Sequence, residues 1–141
     1  MRLFLDASVL LAAAGSANGS SRALFTYADT QSWVLVSSPH ALNEVLRNLS
    51  KLPGDATTAW LRLRPQIAVV DDVVPGSSGH LRSWQGSANS VHRAGAEVLL
   101  TLDKSDFAGM LGGTFYGLSV LLPHDFLERE RAASRLTPTA Q

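Results

Sequence analysis

Apolar residues are distributed along the chain in two alternating patterns: short, nearly unbroken runs, and longer stretches with three- and four-residue spacing. The short runs are Leu3-Phe4-Leu5, Trp33-Val34-Leu35-Val36, Ile67-Ala68-Val69-Val70, Val98-Leu99-Leu100 with its flanks from Gly95 to Asp103, and Leu118-Ser119-Val120-Leu121-Leu122. Runs of this length without strict alternation predict strands buried on both faces of a parallel sheet. The periodic stretches between them predict helices, and strands joined through helices imply parallel crossovers. The expected fold class is therefore α/β, a three-layer α/β/α sandwich with a mainly parallel sheet of about five strands.

Helix boundaries follow from local chemistry. Leu10 to Ala14 predicts a short helix that stops at Gly15, and Ser20 or Ser21 is placed to cap a second helix carrying Ala23, Leu24, Phe25, Tyr27 and Ala28. Ser37-Ser38-Pro39 marks a third helix start, with Ser38 as cap and Pro39 at the first helical position, where its missing N–H has no intrahelical partner to lose. That helix runs to about Ser50 with Ala41, Leu42, Val45, Leu46 and Leu49 on one stripe and Glu44 at its margin. Pro53-Gly54 breaks the chain before a helix starting at Asp55 or Thr57 and ending before Pro65. Leu81, Trp84, Ala88 and Val91 space as a weak amphipathic helix, Phe107 to Leu111 as a short one, and Pro123 opens the last. The polar residues after Ala133 read as a flexible tail, so 1–132 is expected to be a single domain with 133–141 attached.

Composition narrows the classes of function. With 45% hydrophobic and 17% charged residues over 141 positions, the chain suits one domain with a core of its own. Its formal net charge is zero and its Lys and Arg residues are scattered, so tight nonspecific binding of nucleic acid through phosphate neutralisation is not expected. The absence of cysteine excludes disulfides, thiolate metal sites and cysteine catalysis. Asp6 interrupts the first apolar run, no run is long enough to span a bilayer, and a cytoplasmic location with no membrane association is the expectation.

Candidate chemistry lies in carboxylates. Leu3-Phe4-Leu5 ends at Asp6 and Val98-Leu99-Leu100-Thr101-Leu102 ends at Asp103, the same design twice. Asp6 is open to two readings, a cap for the following helix or a group delivered to the mouth where open α/β sheets bind ligands. If the two strands are neighbours, Asp6 and Asp103 meet at one sheet edge and Glu44 reaches them from its helix. Three acids so placed repel one another unless protonated or bridged by a cation. Oxygen donors suit Mg²⁺ or Mn²⁺ over zinc, and such a cation acidifies water and holds a phosphodiester for in-line attack. Asp71-Asp72 ahead of Pro75-Gly76 reads as a solvated turn. His80, His92 and His124 read as surface residues.

In these blocks the chain resembles the PIN-domain ribonucleases, which include the toxins of VapBC-type toxin–antitoxin pairs. The resemblance rests on Leu5 to Leu10, on Ser37 to Glu44 ahead of Arg47-Asn48-Leu49, on Gly95 to Asp103 with Phe107 after it, and on Leu121 to Leu127. It implies a Mg²⁺- or Mn²⁺-dependent endoribonuclease with Asp6, Glu44 and Asp103 as catalytic, metal-binding acids, Ser8 beside the first of them and Thr101 before the last. It also implies an RNA substrate, an antitoxin protein as partner, and a homodimer. The family commonly carries a further acid where this chain has Ser83-Trp84-Gln85, and Asp106 is the candidate replacement among the metal ligands. The missing acid supports an alternative, a catalytically degenerate PIN domain that binds protein or RNA without cutting it. An aspartyl phosphatase fits less well, since Ser8 stands where it needs a second acid.

Overall fold

The computed structural model describes residues 1–70, 95–104, 109, 111–115 and 118–136. Asp71, Asp72, His80, His92, Asp106, residues 83–85, the helix expected over 80–94, residues 107, 108 and 110 of the one expected over 107–111, and the tail from 137 lie outside the described residues; Gly109 and Leu111 of that last helix lie in turns. The strands are β1 (Arg2–Leu5), β2 (Val34–Ser37), β3 (Ile67–Val69), β4 (Val98–Leu100), β5 (Thr114–Phe115) and β6 (Leu118–Leu121). The helices are α1 (Ala7–Gly15), α2 (Ser20–Gln31), α3 (Pro39–Asn48), α4 (Ala56–Leu63) and α5 (Pro123–Ala132), with 3₁₀ turns at Leu49–Lys51 and Arg64–Gln66.

The sheet order is β3-β2-β1-β4-β6-β5. The five strands expected from the sequence are mutually parallel, and the two-residue β5 adds an antiparallel edge to β6. The class is α/β as expected, and the sheet is its buried central layer. On one face Leu3, Leu5, Leu35, Ile67, Val98, Leu100 and Leu121 form a single core with apolar residues of α1, α2, α3, α4 and α5. On the other, Phe4, Val36, Leu99, Leu118 and Val120 are buried as a second cluster. Removing a leucine side chain from water on either face contributes roughly 2 kcal/mol, before the entropy of ordering the chain is subtracted. No described helix is long and apolar enough to cross a membrane.

Several local expectations are corrected. Helix α1 begins at Ala7, directly after Asp6, because no turn residue separates strand from helix. The N-cap of α2 is Gly19, and Ser21 is buried inside the helix. Leu46, expected on the buried stripe of α3, is 60% exposed, and Leu61 of α4 is likewise on the outer surface. Trp33 precedes β2 and packs its ring edge-on against Phe126 of α5 at 5.1 Å, so it ties a loop to the last helix. Beyond α5, Ser134 adopts a left-handed conformation (φ 59°), Arg135 N–H donates to the Glu130 carbonyl at 2.9 Å, and Leu136 packs on the core. The chain from Ala133 to Leu136 thus lies against α5 and the core.

Candidate active site

The chain passes from β1 outward to β2 and β3, then returns to the opposite side of β1 and runs outward again through β4 to β6. The reversal falls between β1 and β4. In open α/β sheets the crevice beyond the carboxyl ends of the strands at such a reversal is where ligands bind. Leu5 lies opposite Leu100 in the β1–β4 register, so Asp6 and Thr101 leave the sheet side by side, with Asp103 two residues further on. The condition set by the sequence, that the strands ending in Asp6 and Asp103 be neighbours, is met.

Asp6 occupies the N-cap position of α1 with extended backbone (φ −68°, ψ 158°), and its carbonyl accepts the first helical hydrogen bonds from Val9 at 3.0 Å and Leu10 at 3.2 Å. Its carboxylate makes no capping bond to the helix. Oδ2 instead accepts the Ser8 hydroxyl at 2.9 Å and the Thr101 hydroxyl at 2.9 Å. Each hydroxyl oxygen is in turn held by a backbone amide, Leu102 N–H to Ser8 Oγ at 3.0 Å and Asp103 N–H to Thr101 Oγ1 at 3.0 Å. Both hydroxyl protons are then committed to Asp6, so the 3.4 Å approach of Ser8 Oγ to Thr101 Oγ1 carries no proton of its own. Two chains, amide to hydroxyl to carboxylate, converge on one oxygen and fix the rotamer of Asp6. Among the described residues every hydrogen bond to this carboxylate falls on Oδ2, which leaves Oδ1 for an external ligand.

Thr101 is fully buried, whereas Ser8, Asp6 and Asp103 are half-buried, so the constellation opens outward from a fixed floor. Asp103 is placed by its own amide through Thr101, which joins the two strand ends chemically. Glu44 is half-buried in the second turn of α3, between buried Ala41 and Val45, and α3 packs on α1. Asn48, one turn on, donates its side-chain amide to the Glu44 carbonyl at 2.8 Å. His124 is exposed, as expected. Ser37 enters the sequence reading only as part of a helix start, yet it is a fully buried hydroxyl at the carboxyl end of β2. Its signal is a polar residue closing an apolar run beside the strand that ends in Asp6.

The chain matches no protein-family model and no curated protein.

Asp6, Glu44 and Asp103 offer oxygen donors alone, and Asp6 Oδ1 is left for an external ligand, a donor chemistry that fits Mg²⁺ or Mn²⁺. Among the described residues no group of three His, Cys, Asp or Glu side chains is already gathered as a metal site.

Proposed function

We propose that the chain is a divalent-cation-dependent endoribonuclease of the PIN type, hydrolysing RNA phosphodiesters with activated water. One observation carries the reading. An aspartate in a helix N-cap position ordinarily turns its carboxylate onto the free amides of the first turn. Asp6 forgoes those amides and is held through Oδ2 by two hydroxyls, at the sheet reversal where open α/β sheets bind ligands. A carboxylate fixed by neighbouring donors, with a lone-pair-bearing oxygen to spare, is the arrangement that supporting residues give to a metal ligand.

Asp6, Asp103 and Glu44 would hold the cation, which when bound supplies positive charge for the phosphodiester and acidifies water. Ser8 and Thr101 orient Asp6, and the amides of Leu102 and Asp103 orient those hydroxyls. With no net charge, the chain relies on the cation more than on Lys and Arg for phosphate contact, so its affinity for RNA falls only shallowly with salt. On the same reading it is cytoplasmic, its partners are an RNA substrate and an antitoxin protein, and a homodimer would bring scattered basic residues around two sites.

Cleavage of a panel of single-stranded and hairpin RNAs with Mn²⁺, Mg²⁺ or EDTA, with Asp6→Asn prepared in parallel, tests this. The expected result is cleavage that needs the metal and falls by about a hundredfold or more in Asp6→Asn, beyond what loss of an outer-shell partner produces. One observation favours a second reading, a domain that holds RNA or protein without cutting: Ser83-Trp84-Gln85 stand where the resembled family commonly carries a further acid. Silence of the folded wild-type protein with both metals would establish that reading over the first.

A further inference from the structure

We infer that Ser37 is a positioning residue that sets Asp6 and helix α3, and with it Glu44, in one register. The inference rests on the reading of Asp6 as a cation-binding acid. Ser37 ends β2 and is fully buried. Its hydroxyl donates to the carbonyl of Leu5 at 2.8 Å. That carbonyl belongs to the peptide unit whose nitrogen is Asp6 N, and Asp6 N–H donates to the Leu100 carbonyl at 3.0 Å. The peptide that carries Asp6 is therefore gripped at its oxygen from β2 and at its hydrogen from β4.

The same residue is fixed on its other side, where its own carbonyl accepts Val70 N–H at 2.9 Å. The next residue, Ser38, caps α3 by accepting Ala41 N–H at 3.2 Å, with Pro39 at the first helical position. No flexible residue intervenes between the hydroxyl that grips the Asp6 peptide and the cap that starts the helix bearing Glu44. A buried serine at the end of an apolar strand needs a partner for its hydroxyl, and strand pairing alone does not require one there. The partner it has is the backbone of the candidate site, so loss of the hydroxyl releases one side of the Asp6 peptide while leaving the ladder between β1 and β2 in place.

The test is Mn²⁺ affinity, read by electron paramagnetic resonance of the free ion, for the wild-type chain, Asp6→Asn, Ser37→Ala, Ser37→Cys and Ser37→Thr, with melting temperatures measured alongside. Ser37→Ala and Ser37→Cys are expected to weaken Mn²⁺ binding by about tenfold, the range of supporting residues around metal ligands. Cysteine fills nearly the same space and donates poorly, so it carries the test if the alanine variant fails to fold. Ser37→Thr keeps the hydroxyl and is expected to bind within about twofold of wild type. Arg135→Ala, away from the site, is expected to lower stability without changing Mn²⁺ affinity, separating positioning from general destabilisation. Wild-type affinity in a folded Ser37→Ala or Ser37→Cys protein overturns the role of Ser37 alone. A wild-type chain that binds no Mn²⁺, or an Asp6→Asn chain that binds it equally well, overturns the reading of Asp6 and this inference with it.

Discussion

Thr101 shows how one side chain can organise a site from beneath. It is fully buried, donates to Asp6 and accepts from the amide of Asp103, so its hydroxyl is satisfied in both directions. Thr101→Val keeps the shape and removes the hydroxyl, leaving a buried amide and a carboxylate oxygen each short of one partner. Denaturant titration is expected to show a loss of about 1–3 kcal/mol, the cost of stranding buried polar groups. Ser8→Ala removes the second donor to the same oxygen and is expected to cost about 1 kcal/mol. Because both act on one acceptor, the double variant should depart from additivity by about 0.5 kcal/mol or more. Independent contributions in that cycle would mean that Oδ2 is not the shared anchor.

At the scale of elements, the ends of α3 and its exposed face make opposite predictions. Ser38→Ala removes a cap bond and is expected to cost about 1 kcal/mol in thermal or urea unfolding, whereas Leu46→Lys, on the solvent side, should stay within about 0.5 kcal/mol. The parallel strands were legible in the sequence because burial on both faces leaves unbroken apolar runs, and Asp6 and Asp103 were legible as their punctuation. Leu46 was not, because spacing defines an apolar stripe without saying how wide an arc the neighbouring helix covers. Strand β5 has two residues and hence no period to detect. The orientation of Asp6 depends on Thr101, 95 residues away, and a cap position reads the same locally whether or not the side chain turns inward. Ser37 was hidden for a related reason: serine before Ser-Pro signals a helix start, and the carbonyl it grips belongs to a strand 32 residues earlier.

At the scale of the whole molecule, the C-terminal turn closes the domain with one charged pair. Glu130 is only 2% exposed and pairs with Arg135, whose own side chain is mostly in water. Arg135→Ala leaves that carboxylate without its cation. Allowing for the screening of the arginine, the expected loss is about 1–2 kcal/mol, seen as a lower melting temperature. Glu130→Gln, which removes the charge that needs a partner, should cost less.

The place of β1 in the sheet has a consequence for biosynthesis. Strand β1 is synthesised before both of the strands that flank it, β2 on one side and β4 on the other. Translation delivers Asp6 at once, yet its anchor Thr101 arrives 95 residues later. A nascent chain that has paired β1 with β2, and β2 with β3, still presents an open flank and an aspartate held by Ser8 alone. If the chain cuts RNA as proposed, cutting must wait until the codons for β4 and Thr101 have been read. On that reading, the order of the strands alone would set a delay between synthesis and activity.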